Sequence, residues 1–402
     1  MTTTRPPRTP PKNGEPEPPA KSSNASAVIQ KAFGANNANF FLLLGVTLFL
    51  VLFGVVMVLS SSSVEDGTSK THDFFSSFTR QGLYALIGVP MMLIASRMPS
   101  RAWKRWAWPA VVLTVALQLL VFTPLGYGKL GNTNWIRIGS FTAQPSELIK
   151  LALILWVSWI VVRKQELLND WKHVALPIAP VAAVAIGMVL LGKDLGTAII
   201  LVAVVLGCLF YAGVRLRIIF TSIVLISVVG VGFLVSSPNR MTRIDAWMRG
   251  CTSQADFKVS CWQTVHGWWG IASGGVFGSG LGESKVKWNW LPEADNDFIF
   301  AIIGEELGLI GAVLVLALFV VLAISFVRII RAANDPFERI VTSGVMIWVI
   351  GQAFVNIAVV LGFLPVLGVP LPLISAGGSS LIASMAGIGV VLSFTRRAPV
   401  RQ

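Results

Sequence analysis

Charge is scarce in this 402-residue chain, and acidic charge is scarcest: 19 Asp and Glu stand against 32 Lys and Arg, and charged residues make up 13% of the whole. A soluble domain carries about a quarter of its residues as charges, so a water-solvated fold is excluded. The chain has three histidines and three cysteines, and none falls in a zinc-ligand spacing, which removes structural-zinc readings. The surplus of positive charge is not arranged as a basic patch interleaved with aromatics, so nucleic acid is not the expected partner. Ten-residue stretches of alternating polarity are missing as well, which excludes a membrane β-barrel. No apolar stretch or cleavage site follows the first positive charges closely enough to make a secretory signal.

What the chain does have is apolar length. Hydrophobic residues make up 54% of it, mean hydropathy is +0.72, and runs able to cross about 30 Å of hydrocarbon recur throughout. Without a barrel pattern, only helices can satisfy their backbone in lipid. The expected fold is therefore an all-α polytopic membrane protein of ten transmembrane helices, with both termini cytoplasmic and a large external loop between helices 7 and 8. Residues 1–38, rich in Pro, Ser, Thr, Asn and Lys, read as a disordered cytoplasmic tail. Residues 39–395 form the membrane domain, with 236–296 outside, and 396–402 a short basic cytoplasmic tail. Arg97, Arg101, Lys104 and Arg105, then Arg163 and Lys164, Arg215 and Arg217, and Arg328 and Arg331, mark the inner loops. The eighth span is expected to start near Asp297. No internal repeat is visible, so an inverted-repeat transporter is not invoked.

The stretch from Trp288 to Gly308 stands out. It gathers Glu293, Asp295, Asp297, Glu305 and Glu306, five of the 19 acidic residues, just where a hydrophobic run begins. A carboxylate at the mouth of a span is costly to desolvate and faces a cavity or a partner, or else is an ordinary interface group. Clustering favours a site. The same external segment carries Arg240, Arg243, Arg249, Lys258, Lys285 and Lys287. Long loops tolerate such charges; the sharper reading is that they hold a phosphate or pyrophosphate. Glycine is dense from Gly274 to Gly282, which permits close backbone approach. Glu147 and Lys150, one helical turn apart, are placed to pair, as a structural bridge or as part of the site. Cys251 and Cys261 both lie in the external segment, where an oxidising compartment permits a disulfide but does not require one. Cys208 reads as a small core residue.

Several stretches together resemble a known family. They are Trp135-Ile136-Arg137 with Gln144-Pro145-Ser146-Glu147-Leu148-Ile149-Lys150, and Asp194-Leu195-Gly196-Thr197. Further along come Gly278-Ser279-Gly280-Leu281-Gly282, Leu291-Pro292-Glu293, Asp297-Phe298-Ile299-Phe300 and Gly304-Glu305-Glu306-Leu307-Gly308. The last are Pro370-Leu371-Pro372-Leu373-Ile374-Ser375 and Gly377-Gly378-Ser379-Ser380. In this order they resemble the SEDS family of bacterial cell-division and cell-shape proteins, the FtsW/RodA type. Arg240, Arg243, Ile244, Trp247 and Gln263 are more similar to its division branch.

The resemblance implies a peptidoglycan glycosyltransferase that polymerises lipid II at the outer face of the bacterial cytoplasmic membrane, at the division septum. Asp297 matches the family's proposed catalytic aspartate and is the expected general base, with undecaprenyl pyrophosphate leaving. An α-linked donor becoming a β-linked glycan implies inversion in one displacement. Glu293 would support the site, by positioning cations or a divalent ion such as Mg or Mn. Arg243, Lys285 and Lys287 are pyrophosphate candidates on charge. Glu147 and Lys150 join the candidate substrate-binding set, and Ser375, Gly377, Gly378 and Ser379 would shape the cavity wall. The implied partners are lipid II, a class B penicillin-binding protein transpeptidase of the FtsI type and other divisome proteins. Two departures touch the site: where the family often reads LPTKG, this chain has Leu364-Pro365-Val366-Leu367-Gly368, without the lysine, and Ala376 replaces a common aromatic before the paired glycines. A lipid II flippase and a non-catalytic division scaffold remain as alternatives; a flippase needs a polar path through the cytoplasmic half of the membrane, and a scaffold tolerates Asp297→Asn.

Overall fold

The computed structural model describes residues 38–68, 75–129, 132–139, 141–235, 238–251, 261–288 and 290–396. The expected tail up to residue 37, the side chain of Arg240, Lys258 and the basic end beyond Arg396 lie outside them. The chain begins with helices α1 (Ala38–Thr68), α2 (Ser76–Ala95) and α3 (Ser100–Leu119), then strands β1 (Gly126–Lys129), β2 (Asn132–Ile138) and β3 (Phe141–Ala143). Helices α4 (Pro145–Arg163), α5 (Trp171–Leu191), α6 (Leu195–Tyr211) and α7 (Leu216–Val235) follow. The remainder is α8 (Pro238–Met248), α9 (Trp262–Gly274), α10 (Ile299–Glu306), α11 (Gly308–Ala332), α12 (Pro336–Val360) and α13 (Gly378–Phe394).

Local chemistry fixes several starts. Pro145 and Pro336 occupy first-turn positions of α4 and α12, where a missing N–H costs nothing. Asp194 caps α6 by accepting from the Thr197 amide, and Asp335 caps α12 by accepting from Phe337. Among the described residues, eight helices are long and apolar enough to cross a membrane: α1 to α5, α7, α11 and α12. Helices α6 and α13 are apolar but shorter, at 17 residues each.

One expectation needs correcting. The eighth span does not run on from Asp297. Gly308 sits at φ +66° between α10 and α11, a conformation that interrupts an α-helix and that other residues rarely adopt. The 299–306 segment is thus a separate short helix in front of the span. Before α4, β1, β2 and β3 form an antiparallel sheet in that order. Arg137 stacks over Tyr127 at 3.7 Å, and the Thr133 amide donates to Gly192 O at the end of α5. Three strands of seven residues or fewer are too short to show a period against the long apolar runs.

Helix α4 is 72% buried over its membrane window and α12 67%, whereas α7 is 6% buried. Apolarity does not rank them, since lipid tails are as apolar as a protein core. Polar content does. Ser146, Glu147, Lys150 and Ser158 of α4 are buried, as are Thr342, Ser343, Gln352 and Asn356 of α12; polar side chains inside a membrane turn toward protein.

Candidate active site

The five clustered carboxylates fall into two groups with different work. Glu305 and Glu306, at the end of α10, are 2% and 1% exposed. The Glu305 carboxylate accepts from the Ser284 hydroxyl and from the Lys285 amide at 2.8 Å. Glu306 accepts from the Ser60 hydroxyl of α1 and pairs with Lys287 Nζ at 3.3 Å. Lys287 also donates to Ser60 O at 3.0 Å and Gly282 O at 2.7 Å. An ammonium has three donors, and all three are committed. Lys287, a pyrophosphate candidate on charge, is buried here and fastens the glycine-rich segment to α1 and α10.

Glu293, Asp295 and Asp297 sit on a tight turn ahead of α10. The Asn296 and Phe298 amides both donate to Glu293 O, at 3.1 and 3.3 Å, and Asn296 Nδ2 donates to Glu293 Oε2 at 3.3 Å. Three consecutive carbonyls of the turn are gripped from outside. Asp295 O accepts from the Ala376 amide at 2.9 Å, Asn296 O from the Ser375 hydroxyl at 2.6 Å, and Asp297 O from Asn356 Nδ2 at 2.8 Å. With its backbone so fixed, the half-buried Asp297 has little left to vary but its side-chain torsions. Gly368, at φ +69°, lies against it; a Cβ there would stand 3.5 Å from Asp297 Oδ2.

The segment facing Asp297, from Gly362 to Gly377, is held along its length. Trp247 Nε1 of α8 donates to Gly362 O at 2.9 Å. Asn356 Nδ2 donates to Val369 O at 2.7 Å and Gln352 Nε2 to Pro370 O at 2.9 Å. Gln81 Nε2 donates to Ser375 O at 3.0 Å, and Ser375 Oγ accepts from the Leu371 amide at 2.8 Å. Ser375 is thus brought to the Asp297 turn, with Gly377 4.0 Å from Asn296 Oδ1 by its would-be Cβ. Ser379 Oγ turns to α4 instead, accepting from the Gln144 amide at 3.0 Å, and Gly378 packs against the Tyr84 ring.

Comparison with known proteins decides the family. The model of a family of cell-cycle proteins, FtsW, RodA and SpoVE, matches residues 40–399. The chain belongs to the FtsW/RodA/SpoVE family. It is 40% identical over 350 residues, 87% of this chain and 94% of the relative, to the probable peptidoglycan glycosyltransferase FtsW of Geobacter sp. strain M18. It is 36% identical over 400 residues to the protein of the same name in Mycobacterium tuberculosis, covering 97% of this chain and 75% of the relative. The fold is shared with RodA of Thermus thermophilus, at TM-score 0.64 and 24% identity over 90% of this chain and 98% of that one. It is also shared with a chain from a peptidoglycan synthase complex that coordinates polymerization and crosslinking, at TM-score 0.71 and 24% identity over 88% and 96%.

In this FtsW/RodA/SpoVE chain the remaining candidates lie apart from the turn or beside it. Glu147 and Lys150 pair at 2.7 Å with side chains 2% and 1% exposed; Lys150 also donates to Gln352 Oε1 at 2.9 Å and lies 5.1 Å from the Trp348 ring centroid. Both are enclosed, and Lys150 links α4 to α12 through Gln352. Arg243 is exposed and lines a crevice with Trp247, Cys251, Cys261, Thr264, Pro365 and Val366, beside the segment that faces Asp297. Lys285 is exposed on the segment held by Glu305. Cys251 and Cys261 are joined, with Cα atoms 5.7 Å apart. Asp194 accepts from Gln144 Nε2 at 3.1 Å as well as from Thr197, and burial pushes its carboxyl above the ordinary 3.8, against the lowering by the Thr197 bonds. Sequence reasoning missed Gln81, Gln352 and Asn356. The signal was present: Gln352 and Asn356 stand four residues apart in an otherwise apolar run, and a polar side chain there is expensive unless it has work to do.

Proposed function

We propose that this chain is an inverting peptidoglycan glycosyltransferase. It polymerises lipid II at the outer face of the cytoplasmic membrane during cell division, in a ten-span topology with both termini cytoplasmic. The ten spans are the eight long helices with α6 and α13. The observation that carries the reading is the fixed turn: three consecutive carbonyls anchored from two other elements hold Asp297 against Gly368. A general base must be held within hydrogen-bond reach of the proton it takes, and this arrangement supplies that rigidity. Asp297 takes the proton of the acceptor hydroxyl as its oxygen attacks the anomeric carbon, and undecaprenyl pyrophosphate departs. Arg243 and Lys285, both exposed, are the candidate cations to meet the diphosphate, while Lys287 holds the segment that carries Lys285. Among the described residues no group of three His, Cys, Asp or Glu side chains is gathered to hold a metal. A divalent ion therefore fits only with diphosphate oxygens completing a ligand set begun by Glu293 or Asp297.

The similarity to a chain of a complex that both polymerises and crosslinks supports a class B transpeptidase of the FtsI type as partner, and the FtsW relatives support a septal location. The test is lipid II confined to one leaflet of proteoliposomes containing the full chain and its transpeptidase. Glycan made from lipid II in the leaflet on the 236–296 side, without prior translocation, is the expected result. Translocation without polymer marks a flippase, and neither outcome marks a scaffold; each removes the proposal.

A further inference from the structure

Asn356 is 1% exposed and lies near the C-terminal end of α12, the last of its buried polar residues. Its single amide nitrogen donates twice, to Asp297 O at 2.8 Å and to Val369 O at 2.7 Å, using both hydrogens of the NH2 group. One acceptor lies on the turn that carries Asp297, the other one residue after Gly368. One side chain thus ties the carboxylate's own residue to the strand of chain that faces it. One helical turn earlier on the same face, Gln352 donates to Pro370 O at 2.9 Å and accepts from Lys150 and Trp348. That couples the facing segment to the buried Glu147–Lys150 pair of α4. The grips on Asp295 and Asn296 come from the Ser375–Ala376 loop, which itself has to be held. Among these three grips Asn356 is the one rooted in a helix, and α12 is among the most enclosed in the molecule.

We propose that Asn356 is a positioning residue for Asp297, setting the distance between the carboxylate and the Gly368–Pro370 wall on which the acceptor sugar hydroxyl must be presented. This rests on the glycosyltransferase reading of Asp297 given above. Removing the amide leaves two buried carbonyls without a donor and frees the turn to shift. A displacement of about 1 Å at a reacting group costs roughly 100-fold in rate, and the loss falls on kcat, because base placement matters in the transition state more than in ground-state binding.

The experiment compares the full chain, with its transpeptidase, as wild type, Asn356→Ala, Asn356→Asp and Asp297→Asn. Polymerisation kinetics on lipid II are measured beside hydrogen exchange of the amides of Asn296 and Phe298. Asn356→Asp keeps the volume but has at most one hydrogen to donate in place of two, so it guards against a simple cavity effect. Both Asn356 variants are expected to lose about 10–100-fold in kcat with KM within about twofold. Their Asn296 and Phe298 amides should exchange about tenfold faster. Wild-type kcat in Asn356→Ala, a loss confined to KM, or unchanged exchange at those two amides would each overturn the proposal. Full polymerisation by Asp297→Asn would instead remove Asp297 as the base; the exchange data then still decide whether Asn356 holds the turn.

Discussion

Two acidic residues of the same short stretch, Asp297 and Glu306, look alike in sequence and do opposite things. Glu306 is enclosed against Lys287, with side chains 0% and 2% exposed. Breaking such a pair strands a buried charge, so Lys287→Met is expected to cost about 3–5 kcal/mol, seen as a lower melting temperature in detergent and loss of the fixed 279–287 segment. Glu306→Gln with Lys287→Met should recover part of that loss. Asp194 offers a test by pH. Its carboxyl is raised above 3.8 chiefly by burial, so the folded state keeps its proton to higher pH than the unfolded state does. The contribution is most favourable below 3.8 and is lost as pH rises through the raised value. Asp194→Asn keeps an oxygen to cap Thr197 and cannot ionise. Its melting temperature should therefore exceed that of wild type by a margin that grows with pH over that window; equal pH dependence would contradict the assignment.

At the scale of elements, α8 and α9 are tied to each other and to the segment facing Asp297. Cys251, just after α8, is bonded to Cys261, which precedes α9. Trp247 of α8 reaches Gly362 O, and the crevice holding Arg243 lies between these parts. Closing a loop of ten residues contributes roughly 2–3 kcal/mol in the chain-entropy model. Cys251→Ser with Cys261→Ser should lower the melting temperature and raise KM for lipid II through Arg243, while leaving the buried α4–α12 bridge intact. The break at Gly308 is equally local. A Cβ there would meet Gly278 N at 2.4 Å and Val276 O at 2.5 Å, besides the cost of a left-handed conformation of about 1–2 kcal/mol. Gly308→Ala is therefore expected to destabilise the α10–α11 junction more than Gly351→Ala, whose would-be Cβ has nothing within 4 Å.

For the whole molecule, apolar runs and basic loops gave the order of the long helices before any coordinates, because lipid imposes a length and an orientation that composition records directly. The start of α11 was not legible: Ile299 to Glu306 is apolar enough to read as span, and only the backbone at Gly308 shows the break. The rank of the helices was half legible. Lys150, Gln352 and Asn356 announce enclosed faces, but nothing in the run Leu216–Val235 tells that α7 packs at the edge. At the site, the motifs pointed to the stretch where Ser375 meets the Asp297 turn, while charge alone could not tell the buried Lys287 from the exposed Lys285. A cation's sequence neighbours do not reveal whether its hydrogens are already taken.

The central claim is that Asp297, held by Ser375 and Asn356 through its turn, is the base of glycan polymerisation. Its most direct test is polymerisation of lipid II by the purified full chain with its transpeptidase, wild type against Asp297→Asn, with both shown to be folded and complexed. Glycan from wild type and a loss of at least about 100-fold in the variant is the predicted result. Equal polymerisation by the two would contradict it.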